Sequence, residues 1–290
     1  MFQGSMTALI TPFANGAVDE KRFQDFVAWQ IKEGTEAVVP CGTTGESPTL
    51  SHEEHRRVID LCIEVAAGKV PVIAGAGSNS TIEAIALARH AEKAGADAVL
   101  VVTPYYNKPS QEGLYQHYKA INDAAEIPIF IYNIPGRSVI EMSIATMARL
   151  AKLPHVIGVK DCTALARTPA QRAAVGDDFV MLSGEDATAL AYLAQTGTGC
   201  ISVTANVAPR QCAEMHAAWR KGNVNEAQAI NRRLVALHDA LFVESSPAPV
   251  KYAASLLGKC AADVRLPIVP TSEPAQRVVH EAMAGAGLLN

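Results

Sequence analysis

Short aliphatic and β-branched runs alternate with longer stretches in which apolar residues recur every three or four positions, and the alternation repeats eight times. The runs span residues 5–10, 37–41, 70–75, 98–103, 127–132, 156–160, 179–183 and 200–204, each reading as a buried strand. Between them, Asp19 precedes a stripe of Phe23, Phe26, Val27 and Ile31 that stops at Gly34. Ser51 with Glu54 and Ser80 with Glu83 have the spacing of capping boxes, and Gly68 and Gly95 end those two helices. Further helices open near Ser110, Ser143, Thr163 and Asp186. A strand every 20 to 33 residues or so is the period of a β/α unit, and eight units predict a (β/α)8 TIM barrel over residues 1–223. A dinucleotide-binding sheet would need G-x-G-x-x-G after its first strand, where this chain reads T-P-F-A-N-G-A. After Asn223 only helical periodicity remains, over 226–241, 249–257 and 272–286, with S-S-P-A-P as a breaker, which predicts a small C-terminal helical domain over 224–290.

One strand departs from the apolar pattern. In V-I-G-V-K-D, residues 156–161, alternation places Val156, Gly158 and Lys160 on one face and Ile157, Val159 and Asp161 on the other. A lysine at the end of a buried strand loses hydration, which favours the neutral, nucleophilic amine suited to imine chemistry with a carbonyl compound. Gly158 leaves a space beside it on the same face. On this stretch alone, a lysine that snorkels to water or pairs with a carboxylate is the favoured reading, and the rest of the chain must shift it.

Chemistry in a barrel of this kind collects on the rim at the C-terminal ends of the strands. Those ends carry Gly42-Thr43-Thr44-Gly45-Glu46-Ser47, able to turn N–H groups and hydroxyls onto a small anion; Tyr105 and Tyr106; Tyr132 and Arg137 in Y-N-I-P-G-R; Lys160; Gly184-Glu185-Asp186; and Gly199-Cys200-Ile201. Singly, the glycine-threonine run could be a tight turn, the tyrosines packing residues and the arginine a solvated loop charge. Their convergence on one rim with a buried lysine points to a site.

Composition narrows the functional classes. A net charge of −4 and the lack of a basic, aromatic-laced run argue against a nucleic-acid partner. The longest uncharged stretch, beginning at Ala187 and running to Pro209 but for no more than polar interruptions, is too broken for a membrane span. The start of the chain does not read as a secretory signal, and six scattered cysteines without C-x-x-C spacing suit reduced thiols of a cytoplasmic protein, with neither disulfide nor zinc expected. His52 and His55 form the one close histidine pair, with no carboxylate triad beside them, so no metal is expected.

The motifs G-T-T-G-E-S-P-T-L, V-V-T-P-Y-Y-N-K-P, I-Y-N-I-P-G-R-S and I-G-V-K-D, with A-P-V-K-Y and R-L-P-I-V-P near the end, resemble those of the dihydrodipicolinate synthase family within the wider N-acetylneuraminate lyase group, nearly end to end. The resemblance implies condensation of pyruvate with L-aspartate 4-semialdehyde, without a cofactor, in lysine and diaminopimelate biosynthesis. It makes Lys160 the imine-forming residue and Tyr132 the proton carrier, in relay with Thr43 and with Tyr106 of a neighbouring subunit. It gives Thr44, Gly184 and Ile201 to substrate binding and Arg137 to the semialdehyde carboxylate. It further implies a homotetramer, a dimer of dimers, inhibited by L-lysine at a site comprising Ser47, Pro48, His52, His55, Gly77, Asn79, Glu83 and Tyr105.

Two departures stand out, Cys162 where small residues such as Ala or Ser are usual, and S-S-P-A-P where many members have asparagine and isoleucine around the prolines. A sugar-acid aldolase of the same group would share the lysine and tyrosine, and Arg137 is the residue that discriminates, because it suits a short substrate with its own carboxylate. A barrel repurposed as a keto-acid sensor is opposed by the intact lysine and tyrosines.

Overall fold

The computed structural model describes residues 2–289. Its eight barrel strands are β1 (Gly4–Ala8), β2 (Ala37–Val39), β3 (Ile73–Gly75), β4 (Ala98–Val102), β5 (Ile129–Asn133), β6 (Val156–Asp161), β7 (Val180–Ser183) and β8 (Gly199–Ser202). All neighbours pair in parallel in the order β2-β1-β8-β7-β6-β5-β4-β3. The ring closes between β2 and β3 through a parallel bridge of Val38 with Val72, supported by Val38 N–H to Pro71 O at 3.0 Å and Gly75 N–H to Pro40 O at 2.9 Å. The fold is therefore the TIM barrel expected from the eightfold repeat. The first connection also carries a short hairpin, Phe13–Ala14 against Ala17–Val18.

The outer helices are α1 (Glu20–Lys32), α2 (His52–Ala66), α3 (Thr81–Ala94), α4 (Gln111–Ala124), α5 (Ile144–Leu150), α6 (Thr168–Val175), α7 (Ala189–Ala194) and α8 (Pro209–Arg220). Strand alternation sorts the core into two layers. Met6, Val39, Ile73, Leu100, Phe130, Leu182 and Ile201 fill the barrel, while Val38, Val99, Val101, Ile131, Val159 and Met181 meet the helices. Helices α9 (Val224–Ala240), α10 (Ala248–Leu256) and α11 (Glu273–Gly285) follow, and Ile230, Leu234, Leu237, Val250, Val279 and Met283 extend the outer layer.

Asp19 caps α1 through Arg22 N–H, and Ser51 and Glu54 form a complete capping box on α2. Ser80 does not follow suit: its side chain makes no capping bond, and the reciprocal half of the box is lost as well, since the Ser80 N–H donates to Ser78 Oγ at 3.0 Å and Glu83 turns toward the Ser78 hydroxyl and His52. The helix expected near Thr163 begins five residues later, since Thr163 donates to the Asp161 carboxylate and a 3-10 turn at Leu165–Arg167 intervenes. Similarly, Asp186 opens a 3-10 turn, and the Asp186 carboxylate is occupied by Ser202, Val203 and Thr204.

Strict alternation along β6 also fails at its start. The register slips between Ile129 and Phe130, opposite Val156 and Gly158, so Ile157 packs with the barrel interior while Val156 joins the outer layer. Gly158 and Lys160 then share the inner face. The space expected beside Lys160 at Gly158 is absent: a Cβ there would lie 2.5 Å from Val180 O and 2.6 Å from the Phe130 ring.

Candidate active site

The registered ends of β5 and β6 set the centre of the site. Tyr132 pairs with Lys160 and Asn133 with Asp161, so phenol and amine point inward together while amide and carboxylate point outward. The outward pair is buried and fixed: Asn133 Oδ1 accepts from Met142 N–H at 3.0 Å, and Asp161 accepts from Thr163 at 3.0 Å. Inside, Lys160 is 5% exposed, with Nζ 4.4 Å from the Tyr132 ring centroid.

Gly184, at the end of β7, supplies the room that Gly158 does not. A Cβ there would lie 2.9 Å from Lys160 Cε and 2.2 Å from Cys162 Sγ. Burial lowers the Lys160 pKa, and the net direction is upward only because negative charge on Tyr132, Cys162, Cys200 and Glu185, where those groups are ionised, would oppose it. Burial also raises the pKa values of Tyr132, Cys162 and Cys200, so all three keep their protons at neutral pH. With those three groups protonated their charges do not act on Lys160 at neutral pH, which leaves burial, favouring the neutral amine, opposed by Glu185. Tyr132 stands beside that amine, and contacts with Lys160, Thr43 and Arg137 counter the rise in its pKa.

The loop after β2 is a stack of tight turns: Gly45 and Ser47 N–H groups donate to Gly42 O at 3.1 and 3.3 Å, and Glu46 N–H donates to Thr43 O at 3.1 Å. Thr11 Oγ1 holds Gly45 O at 2.7 Å. Among the described residues, the N–H groups of Thr43 and Thr44 have no hydrogen-bond partner, which leaves two backbone donors for an anion. Gly75 is required by the approach of this loop to β3, because a Cβ there would sit 2.0 Å from Cys41 O.

A cavity of about 500 Å³ opens at this rim, bounded by Thr43, Tyr132, Ile134, Arg137 and Ser138 at one end and by His52, His55, Glu83 and Tyr105 at the other. Ser47, Pro48 and Gly77 also line it. Arg137 sits on the single turn Pro135–Ser138, whose Ser138 hydroxyl bridges the carbonyls of Ile134 and Ile140 at 2.9 Å each. Asn79 stands behind this wall, donating to Tyr105 O at 3.2 Å. Ile201 lies in the barrel core, fully buried. Tyr106 is not brought to the cavity: it is 87% exposed and held at φ +70°.

Sequence reasoning passed over the Glu46–Lys251 pair, 2.7 Å apart with both side chains buried, whose Glu46 follows the threonines in the same turn. The signal was present in A-P-V-K-Y, a lysine within an apolar helix, the same anomaly that marked Lys160. No group of three or more His, Cys, Asp or Glu among the described residues could hold a metal ion. No described helix is long and apolar enough to cross a membrane.

Residues 1–286 match the model of the dihydrodipicolinate synthetase family. The 4-hydroxy-tetrahydrodipicolinate synthase of Rhodospirillum centenum is 66% identical over the full length of both chains, and that of Bradyrhizobium diazoefficiens is 64% identical over all of this chain and 98% of the relative. Among solved structures, a chloride-inhibited dihydrodipicolinate synthase of Acinetobacter baumannii complexed with pyruvate aligns with a TM-score of 0.97 at 44% identity, covering 100% of both chains. A lysine-bound enzyme of the same kind from Cyanidioschyzon merolae aligns with a TM-score of 0.96 at 39% identity, covering 99% of each.

Proposed function

The chain belongs to the dihydrodipicolinate synthetase family, and from that premise we propose that it condenses pyruvate with L-aspartate 4-semialdehyde to give 4-hydroxy-tetrahydrodipicolinate. The observation that carries this reading is a buried Lys160 set against Tyr132, which lines a cavity together with Thr43 and Arg137, while the Thr43 and Thr44 amides are left without partners among the described residues.

Neutral Lys160 attacks the pyruvate carbonyl, and Tyr132 passes the protons that let the hydroxyl depart as water, leaving a protonated imine. The Thr43–Thr44 loop holds the pyruvate carboxylate meanwhile. The imine draws electrons from pyruvate's methyl group, which loses a proton, and the enamine so formed attacks the aldehyde carbon of the semialdehyde. Arg137 fixes that substrate by its carboxylate. Finally the semialdehyde's own amino group displaces Lys160 from the imine carbon, closing the ring and restoring the amine. One water leaves per turnover.

Completion of the relay by Tyr106 of a second copy is supported by its exposure and left-handed backbone, which a neighbour's cavity would put to use. We assign the chain accordingly to a dimer of dimers, with the barrel domain at 1–223, the helical domain at 224–290 and a cytoplasmic location. Incubation with pyruvate and borohydride should add the mass of one reduced pyruvate adduct per chain, mapping to Lys160. Label on another lysine would overturn the assignment.

A further inference from the structure

We propose that the C-terminal segment controls pyruvate binding through a buried clamp, in which Lys251 and Arg265 hold Glu46 and thereby position Thr43 and Thr44. Lys251, on α10, is fully buried and places Nζ 2.7 Å from Glu46 Oε1. The second oxygen of the same carboxylate accepts the backbone N–H of Arg265 at 2.9 Å. The Arg265 guanidinium reaches the far end of the same connection, with Glu54 at 2.6 and 2.7 Å and Thr49 O at 2.9 Å. Both cations also lie over the Phe13 ring, at 4.0 and 4.2 Å from its centroid.

Glu46 is two residues from Thr44, and its N–H closes the turn onto Thr43 O. It adopts φ 55°, ψ 35°, a left-handed conformation that a glutamate takes only when its surroundings fix it. A buried ion pair contributes little net stability against an apolar replacement, so its placement behind an anion-binding turn suits positioning better than stability. The clamp makes Glu46, Lys251 and Arg265 positioning residues: none lines the cavity.

This inference rests on the pyruvate-condensing reading, and the test separates the two. Unmodified chain is first trapped with pyruvate and borohydride; failure there removes the reading and the clamp's role with it. Lys251→Met and Glu46→Gln are then compared by steady-state kinetics with both substrates. Displacement of the threonines should raise the pyruvate KM ten-fold or more, leaving the semialdehyde KM, governed by Arg137 on a different loop, within two-fold. A merely structural role would lower the active fraction, reducing kcat with both KM values unchanged, and that result overturns the proposal.

If Lys251→Met fails to fold, the double variant Glu46→Gln/Lys251→Met removes the unpaired charge. A raised pyruvate KM in that variant upholds the clamp, and a normal one refutes it. Glu46→Gly relieves the backbone without restoring the anchor, so wild-type pyruvate binding in that variant would show that only the turn conformation matters.

Discussion

Lys160 Nζ lies 4.4 Å from the centroid of the Tyr132 ring, on the adjacent strand and in direct register. This contact ties the proposed nucleophile to its proposed proton carrier, because the two residues are paired on adjacent hydrogen-bonded strands and Tyr132 lines the cavity. Tyr132→Phe should keep the ring packing and lose the hydroxyl. Imine formation, followed by the rate of borohydride-trapped adduct, should slow by roughly a hundred-fold or more, as for loss of a positioned acid-base group. A rate within a factor of three of wild type would place the proton carrier elsewhere.

Arg137 is exposed on its single turn and has no ion-pair partner among the described residues. Arg137→Ala should therefore leave thermal stability and pyruvate trapping unchanged while raising the semialdehyde KM. Loss of a charge-assisted contact costs about 1.5–3 kcal/mol, or roughly ten- to a hundred-fold. Equal damage toward both substrates would mean that the residue shapes the cavity rather than gripping one carboxylate.

The barrel was legible because eight two-faced strands and their helices leave a periodic imprint on the chain, and because Asp19 and Ser51 act locally, within three residues of what they cap. Long-range competition hid the rest. Ser80 and Glu83 have capping-box spacing, yet Ser78 and His52 win the carboxylate. The lysine pocket was read at Gly158, where Phe130 from the neighbouring strand fills the space, and Gly184 does that work instead. The Glu46–Lys251 pair joins residues 205 positions apart, beyond the reach of any local pattern.

Gly184 and Gly158 give a paired test of that distinction. A methyl at position 184 meets the flexible end of Lys160 and the Cys162 thiol, whereas one at 158 meets the Val180 carbonyl and a core ring. Gly184→Ala should cut imine formation at least ten-fold with a small fall in melting temperature. Gly158→Ala should chiefly destabilise, by about 1–3 kcal/mol, as overpacked cores do. The reverse pattern, measured by trapping and thermal unfolding together, would exchange their roles.

Acid sensitivity follows from the buried histidines. Burial holds His55, His117 and His216 down to about 4 from the usual 6.5, and lowers His238 in the same direction. Because the unfolded chain binds these protons at higher pH than the folded one, stability is complete above pH 6.5 and is lost as pH falls from there toward 4. Each proton taken up contributes about 1.4 kcal/mol per pH unit. Calorimetric unfolding in buffers of different ionisation enthalpy should show uptake of roughly three protons at pH 5.5 and almost none at pH 7.5. No uptake at pH 5.5 would show that these rings are charged in the folded state.

L-lysine should inhibit, and the structure supports a specific seat for it. Glu83 is free of the capping role and stands between the Ser78 hydroxyl and His52 Nε2, 3.3 Å away, where it can take an ammonium. His55 is buried with neither ring nitrogen bonded, so a ligand arriving there would satisfy a group that the chain leaves unpaired. Tyr105 borders the same cavity, and it adjoins Tyr106, the residue assigned to the neighbour's relay. The cavity runs on without interruption to Thr43 and Tyr132, so an effector at one end alters the surroundings of the other. If the coupling acts through binding, pyruvate and L-lysine must change each other's affinity by the same factor. Titration of L-lysine at saturating pyruvate, with D-lysine as control, should lower the rate at millimolar concentration. Glu83→Gln should weaken that response at least ten-fold without changing the uninhibited rate, and undiminished sensitivity in that variant would move the effector to another part of the surface.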